Sequence, residues 1–423
     1  MNFRVEVHIN RRLHPMASFV NLTDLKHSGS GGKMLRKIYL TLVISLLVFV
    51  PAGCSRQSGP ALPEPVMQDR PASEIIRIGS VMPETGVIAP YGRTLLDAIE
   101  LAFDEINSAG GVLGKTLVLI NKDNQSKAEE TAAAFRELIE NEMVVAIIGP
   151  AISSHALMGV HVAQEAGIPV ISPASFDPAV TLVGDYIFRA CFTDPFQGRI
   201  MANFTLRELG LSTAAILVEQ ESRYARSLAE CFRECFEAGG GKVVLEEAFS
   251  NSEKDFNSLL SKVSAAGPEF IYIPSFYDVA GPILRQARDI GFATRFGGGD
   301  GWDFPELFKL AGEAADGGYF TRHYSPEVDS PAVKAFVAAF QARCNKTPDT
   351  MAALAYDAAY LLAHAIEEAG STAGHAIRDA LAAISFTGVC GFMTFDENRN
   401  PVKDGIIIGI EGQKHVYRAT VRP

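Results

Sequence analysis

Apolar residues recur along this chain in two alternating rhythms. Residues 76–81 form a short apolar run of strand type, and 93–107 follow with Leu96, Ile99, Phe103 and Ile106 at helical spacing until Gly110-Gly111 stops them. A strand is expected over 117–120, and a helix over 127–140 with Phe135, Leu138 and Ile139 on one face. Residues 144–148 are an unbroken apolar run ending in Gly149-Pro150, as in a parallel strand buried on both faces. A helix over 155–166 and a short strand over 169–172 complete a first series. The rhythm restarts beyond Asp194: helix 197–209, strand 214–218, helix 226–238, strand 242–246, helix 255–265, strand 270–273, helix 279–290. Further helices are expected over 331–344, 350–368 and 373–383. Residues 406–410 and 415–419, flanking Glu411-Gly412-Gln413, read as a hairpin. Repeated β-α units predict parallel sheets covered by helices, and two series predict an α/β protein of two doubly wound, Rossmann-like lobes with a cleft between them.

At 423 residues there is length for two or three domains. A composition 48% hydrophobic and 21% charged excludes a disordered chain. The formal net charge of −11 argues against nucleic acid as a partner, because phosphate binding needs a basic face. Arg36 and Lys37 precede an apolar stretch over 38–50, shorter than the roughly 18 residues a spanning helix needs. Ala52-Gly53 and Cys54 follow. A basic start, a short apolar segment and small residues before the cut make a secretory signal. Ending at Cys54, it resembles a bacterial lipoprotein signal, with Pro51 departing from that pattern. Residues 34–53 are therefore expected to be a signal peptide, Cys54 the lipidated residue, and 54–73, rich in Pro and polar residues, a tether. Residues 1–33 precede Met34-Leu-Arg-Lys, a better signal start, and are expected to be a mis-assigned extension. This places the mature protein in the periplasm or at the cell surface, held to the membrane by lipid.

Ligands of doubly wound sheets bind beyond the carboxyl ends of the strands, so the loops there carry the chemistry. The first such loop is Pro83-Glu84-Thr85-Gly86 with Tyr91-Gly92, the second runs from Gly149 to Ser154, and the third is Ser172-Pro173-Ala174-Ser175-Phe176. In the second series Tyr224 is expected on a loop, Phe276-Tyr277 follow a strand, and Gly297 to Trp302 is a Gly-rich turn holding Asp300. Hydroxyls and helix-start N–H groups suit a carboxylate, an acid suits an ammonium, and aromatics make walls. Taken singly, Ser153 is equally a helix cap, Asp300 a turn residue and Phe176 a core plug. His155, His161 and Glu165 lack the convergent set a metal needs. Cys231 and Cys235 share a helix face as packed thiols, and Cys344 with Cys390 is an open pairing. Gly297 to Gly301 lacks the Lys-Ser/Thr of a phosphate loop, and neither G-x-S-x-G nor H-E-x-x-H occurs. No catalytic residue, cofactor or metal is predicted.

These loops also carry a resemblance. Thr85-Gly86, Tyr91-Gly92, Glu105-Ile106-Asn107 with Gly110-Gly111, Ile148-Gly149-Pro150, Ile171 to Ser175, Phe188-Arg189, Asp194-Pro195-Phe196-Gln197-Gly198, Leu284-Arg285-Gln286-Ala287 and Ala355-Tyr356-Asp357-Ala358 occur in the order seen in the branched-chain amino-acid (leucine/isoleucine/valine) binding proteins. These are type I periplasmic solute-binding proteins of ABC transporters, and the resemblance spans nearly all of 74–423. It implies lobes of residues 74–191 plus 324–395 and 192–323 plus 396–423, joined by three hinge strands that close on an amino acid and present it to permease subunits. By the same resemblance Ser153 grips the ligand carboxylate. Ser175 and Phe176 occupy positions that bind the α-carboxylate and α-amino group. Tyr91 is a wall, Tyr224 a cleft tyrosine, Phe276 or Tyr277 the closing aromatic, and Asp300 the acid for the ammonium. Phe176 replaces a threonine, and Ser126 and Ile152 stand where the family has a disulfide. Alternatives are an aromatic or non-amino carboxylate as ligand, or a sensor reporting ligand to a signalling partner.

Overall fold

The structure, a computed structural model, describes residues 75–422; the expected extension, signal peptide, Cys54 and tether lie outside the described residues. Five short apolar segments pair in parallel: β1 (Ile75–Val81), β2 (Thr116–Lys122), β3 (Ala146–Ile148), β4 (Val170–Ser172) and β5 (Ile187–Arg189), in the order β2-β1-β3-β4-β5. Ile147, Ile148, Val170 and Ile171 are fully buried, which is why these strands show no polar alternation. The helix Ala89–Ser108 has Pro90 in its first turn, where no N–H is required, and buries Leu95, Leu96, Ile99 and Phe103. The alanine-rich helix Thr350–Ala369 packs into the same core.

A second series supplies β6 (Thr213–Glu219), β7 (Lys242–Phe249), β8 (Phe270–Tyr272), β9 (Arg295–Gly298) and β10 (Tyr319–Arg322). After the helices Pro331–Cys344, Thr350–Ala369 and Gly374–Ala383 come β11 (Phe386–Gly388), β12 (Gly391–Phe395) and β13 (Pro401–Lys403), an antiparallel trio, and then the hairpin β14 (Gly405–Glu411) and β15 (Lys414–Val421). The larger sheet runs β15-β14-β10-β9-β8-β6-β7, with β14 antiparallel to both of its neighbours, β10 and β15. Each lobe is therefore a helix-covered sheet.

The chain passes between the lobes three times: after β5, after β10, and between β13 and β14. Phe192 on the first crossing stacks on His323 of the second, their ring centroids 3.5 Å apart. The last crossing falls later than the expected boundary at 395/396. β13 pairs with β12, and Arg399 and Asn400 bond to Thr181, so residues 396–403 stay beside the first sheet.

Two expected helices are broken into pieces. Residues 127–140 form a single turn, a short α-helix and a π-helical turn, and 197–209 become the helix Asp194–Asn203 followed by a π-helical turn. The latter starts early because Asp194-Pro195 supplies a ready first turn. Tyr224, expected on a loop, lies in the first turn of the helix Arg223–Ala238, whose start is capped by the Ser222 hydroxyl accepting from Ala225 N–H. Cys344 and Cys390 are free thiols, so that open pairing is not made. Cys231 and Cys235 are also free, with their sulfurs 3.9 Å apart.

Candidate ligand-binding cleft

A cavity of about 670 Å³ opens where strand ends of the two lobes face each other. From the first lobe it is lined by Tyr91, Ser153, Phe176, Asp177, Asp349, Thr350 and Met351. From the second lobe and the crossings come Asp194, Tyr224, Phe276, Asp300, Asp303, Phe304, Arg322 and His323.

The first-lobe anchor is a helix start. Ser153 begins the helix Ser153–Ala166, and its hydroxyl oxygen accepts the Asp177 N–H at 3.2 Å. Its proton is thus available to an incoming acceptor, beside the free N–H groups of the first turn. Tyr91 rests its hydroxyl 3.3 Å from the Met351 sulfur, and burial pushes its pKa up.

The second-lobe anchor is a hydrogen-bonded network. One Asp300 oxygen accepts from the Tyr224 hydroxyl at 2.7 Å and from Gln197 Nε2 at 3.0 Å. Gln197 Oε1 in turn accepts from Asp300 N–H at 2.9 Å and from the Thr321 hydroxyl at 2.6 Å. Tyr224 also accepts the Gly301 N–H at 3.1 Å. The glycine-rich turn makes this approach possible: a Cβ on Gly299 would lie 2.3 Å from the Tyr224 hydroxyl, and one on Gly298 2.3 Å from the Trp302 ring. Burial raises the Asp300 pKa, while Tyr224 and Gln197 pull it back. Asp194 is pushed up to about 7 by burial, then by Asp300 and Asp177. Arg322 grips Asp303 through both Nε, at 2.6 Å, and Nη2, and also meets His415.

Six residues singled out in the sequence thus share one cavity: Tyr91, Ser153, Phe176, Tyr224, Phe276 and Asp300. Two do not line it. Ser175 is fully buried, its hydroxyl 2.7 Å from that of Ser172 and 3.1 Å from the Pro150 carbonyl, and its N–H donates to Ser172 Oγ. Nothing of its side chain is left to offer a ligand. Tyr277 stands behind Phe304, ring centroids 4.9 Å apart, and packs into the second-lobe core. Phe276, 42% exposed and 4.7 Å from the Tyr224 ring, is the aromatic that faces the space. Phe176 lies 5.3 Å from the His323 ring. His155 is held by Asn124 at 2.9 Å, a structural partner. Ser126 ties the loop below Tyr91 by accepting from Ile88 N–H and donating to the Thr85 carbonyl.

Sequence reasoning missed Asp177, Asp194, Asp303, Phe304, Arg322, His323 and the Asp349–Met351 helix start. Only Asp194 carried a signal, as an acid opening a helix just beyond a crossing.

The periplasmic binding protein family matches residues 75–413. The chain belongs to that family. A Pseudomonas aeruginosa member, the leucine-, isoleucine-, valine-, threonine- and alanine-binding protein, is 31% identical over 353 residues, 83% of this chain and 93% of its own. Among solved members, the branched-chain amino acid transporter substrate-binding protein LivJ of Streptococcus pneumoniae, in complex with isoleucine, has 35% identity and a TM-score of 0.65, covering 82% of this chain and 100% of its own. A Rhodopseudomonas palustris solute-binding protein in complex with 3,4-dihydroxybenzoic acid has 26% identity and a TM-score of 0.63, covering 82% and 97%. Periplasmic binding proteins act outside the cytoplasm, and no helix among the described residues is long and apolar enough to cross a membrane.

Proposed function

We propose that this protein is the solute-binding component of an ABC importer and that it captures an α-amino acid in the inter-lobe cleft. The observation that carries the reading is the opposition of two anchors across one cavity. Ser153 and its helix start offer donors from the first lobe, and Asp300, fixed by Tyr224 and Gln197, offers an acceptor from the second. An α-amino acid has one group for each. It bridges both anchors only when the lobes approach, so its binding energy favours the closed form by population shift. Permease subunits would then receive the closed, loaded form. The amino-acid ligands in relatives' names and in the isoleucine complex support this reading.

A carboxylate without an amino group, as in the dihydroxybenzoate complex, fits this wall less well. It would leave Asp300 unpaired beside a second negative charge. The test is a thermal-shift and calorimetric screen of protein stripped by unfolding and refolding. Common amino acids should raise the melting temperature by mass action. Benzoates raising it while no amino acid does would overturn the reading.

The lipid anchor at Cys54 belongs to the same proposal, on the strength of the signal-like segment before it. Cys54→Ser should move the protein from the membrane fraction to the soluble extracytoplasmic fraction. Unchanged membrane association would overturn it.

A further inference from the structure

We propose that the amino acid taken by this cleft carries a cationic side chain, so that the ligand is net positive. This rests on the amino-acid reading above and narrows it. With the α-carboxylate at Ser153 and the α-ammonium at Asp300, other polar groups of the cavity wall still lack partners. Asp194 opens the helix Asp194–Asn203, and no hydrogen bond or close ion pair among the described residues reaches its carboxylate. His323 is 1% exposed and stacked on Phe192, and neither ring nitrogen has a hydrogen-bond partner. Burial and nearby Lys403 hold it neutral, so it presents one donor and one acceptor. Asp349 gives one oxygen to Ala352 N–H at the head of the helix Thr350–Ala369, and the other has no partner among the described residues.

The fixed charges point the same way. Five aspartates line the cavity against one arginine, and that arginine is taken by Asp303. Arg189 and Arg223 stand near Asp177. Counting both, together with Lys403 behind His323, five carboxylates face four cations, so the wall keeps an acidic excess of one when Asp194 is ionised. A neutral amino acid leaves that excess untouched, and an acidic one adds to it.

An aliphatic side chain closed over this wall would leave the Asp194 carboxylate and the His323 nitrogens unpaired in a space that has lost water. A site with buried hydrogen-bonding groups discriminates strongly against a ligand that cannot pair them. The stem of lysine or arginine instead lies along Phe276 and Phe304, residues 42% and 40% exposed, and carries its cation to the carboxylates.

The experiment is titration calorimetry on the full chain, stripped of solute, with L-arginine, L-lysine, L-leucine, L-isoleucine and L-glutamate. Arginine or lysine is expected to bind at least tenfold tighter than leucine or isoleucine. The preference should shrink as salt is raised, because the selecting charges are partly exposed. Asp194→Asn should cut it at least threefold. Asp349→Asn, which keeps a capping side chain on an exposed residue, serves the same purpose should the first variant fail to fold. Leucine or isoleucine binding within tenfold of the basic amino acids, or more tightly, overturns the inference and leaves the amino-acid reading standing. Full preference retained in both folded variants overturns the assignment to these carboxylates. Binding of none of the five overturns the inference, and the wider screen of common amino acids and benzoates then decides the amino-acid reading.

Discussion

The two walls of the cleft are built on opposite plans. The second-lobe wall is a closed circuit: Asp300, Tyr224, Gln197 and Thr321 hold one another at 2.6–3.0 Å before any ligand arrives. The first-lobe wall is a helix start with one serine, flanked by Tyr91, Phe176 and Met351, which make no comparable network. A pre-set anchor loses little freedom on binding and fixes orientation, whereas an open helix start tolerates different ligand shapes. Specificity should accordingly reside in the second lobe and the crossings, and general affinity in the first.

The strongest challenge to this contrast is Asp300→Ala. It removes the ammonium acceptor and leaves Tyr224 and Gln197 short of a partner, so a loss of about 3 kcal/mol, over a hundredfold in Kd, is expected by calorimetry. Gln197→Ala touches no ligand directly but loosens Asp300 and strands the Thr321 hydroxyl. A loss of about 1–2 kcal/mol in affinity is expected, with a lowered melting temperature. An unchanged Kd would mean the circuit is not what fixes Asp300. Ser153→Ala should cost about 1 kcal/mol, several-fold in Kd, because the helix N–H groups remain.

The pH dependence sharpens the same comparison. Asp194 sits well above its unfolded value, at about 7, so the empty folded form holds a proton that the unfolded chain has released. Its contribution makes the empty protein less stable as pH rises from about 4 through 7. A bound cation favours the ionised carboxylate, so ligand binding releases a proton and the ligand-induced gain in melting temperature should grow over that window. Asp194→Asn should flatten both trends, and melts at pH 5, 6, 7 and 8 would show it. The smallest effect belongs to Tyr277→Phe, which keeps the ring against Phe304 and should change Kd less than twofold. A large loss there would place Tyr277 in the cleft after all.

Much of this architecture is legible in the sequence because buried parallel strands are unbroken apolar runs, as at Val144 to Ile148, and because glycines and prolines punctuate them. β5, β9 and β10 escape notice. Arg295-Phe-Gly-Gly and Tyr319-Phe-Thr-Arg are too short and mixed to show a period. In the site, Ser153, Phe176 and Asp300 stand out because each sits in a permissive loop at a strand end. Neighbours in sequence then mislead, because in the loop after β4 and at the helix start after β8 consecutive side chains diverge. Ser175 beside Phe176 turns inward to Pro150, and Tyr277 beside Phe276 turns behind Phe304. His323 and Asp349 enter the cavity only through the chain's return crossing after β10, which no local pattern records, and Asp177 and Asp303 are single acids one residue beyond the loops that stand out.

The seven-stranded sheet ends at β7 on one side and β15 on the other, and both borders are charged. β7 carries Lys242, Glu246 and Glu247, with the two acids bound to Arg233 and Lys262, and β15 carries Lys414 and Arg418. An incoming strand would have to strip these charges of water and of their partners. A protein that must open and close repeatedly therefore does so without offering its sheet borders to neighbouring copies, which guards against strand-by-strand aggregation at high local concentration.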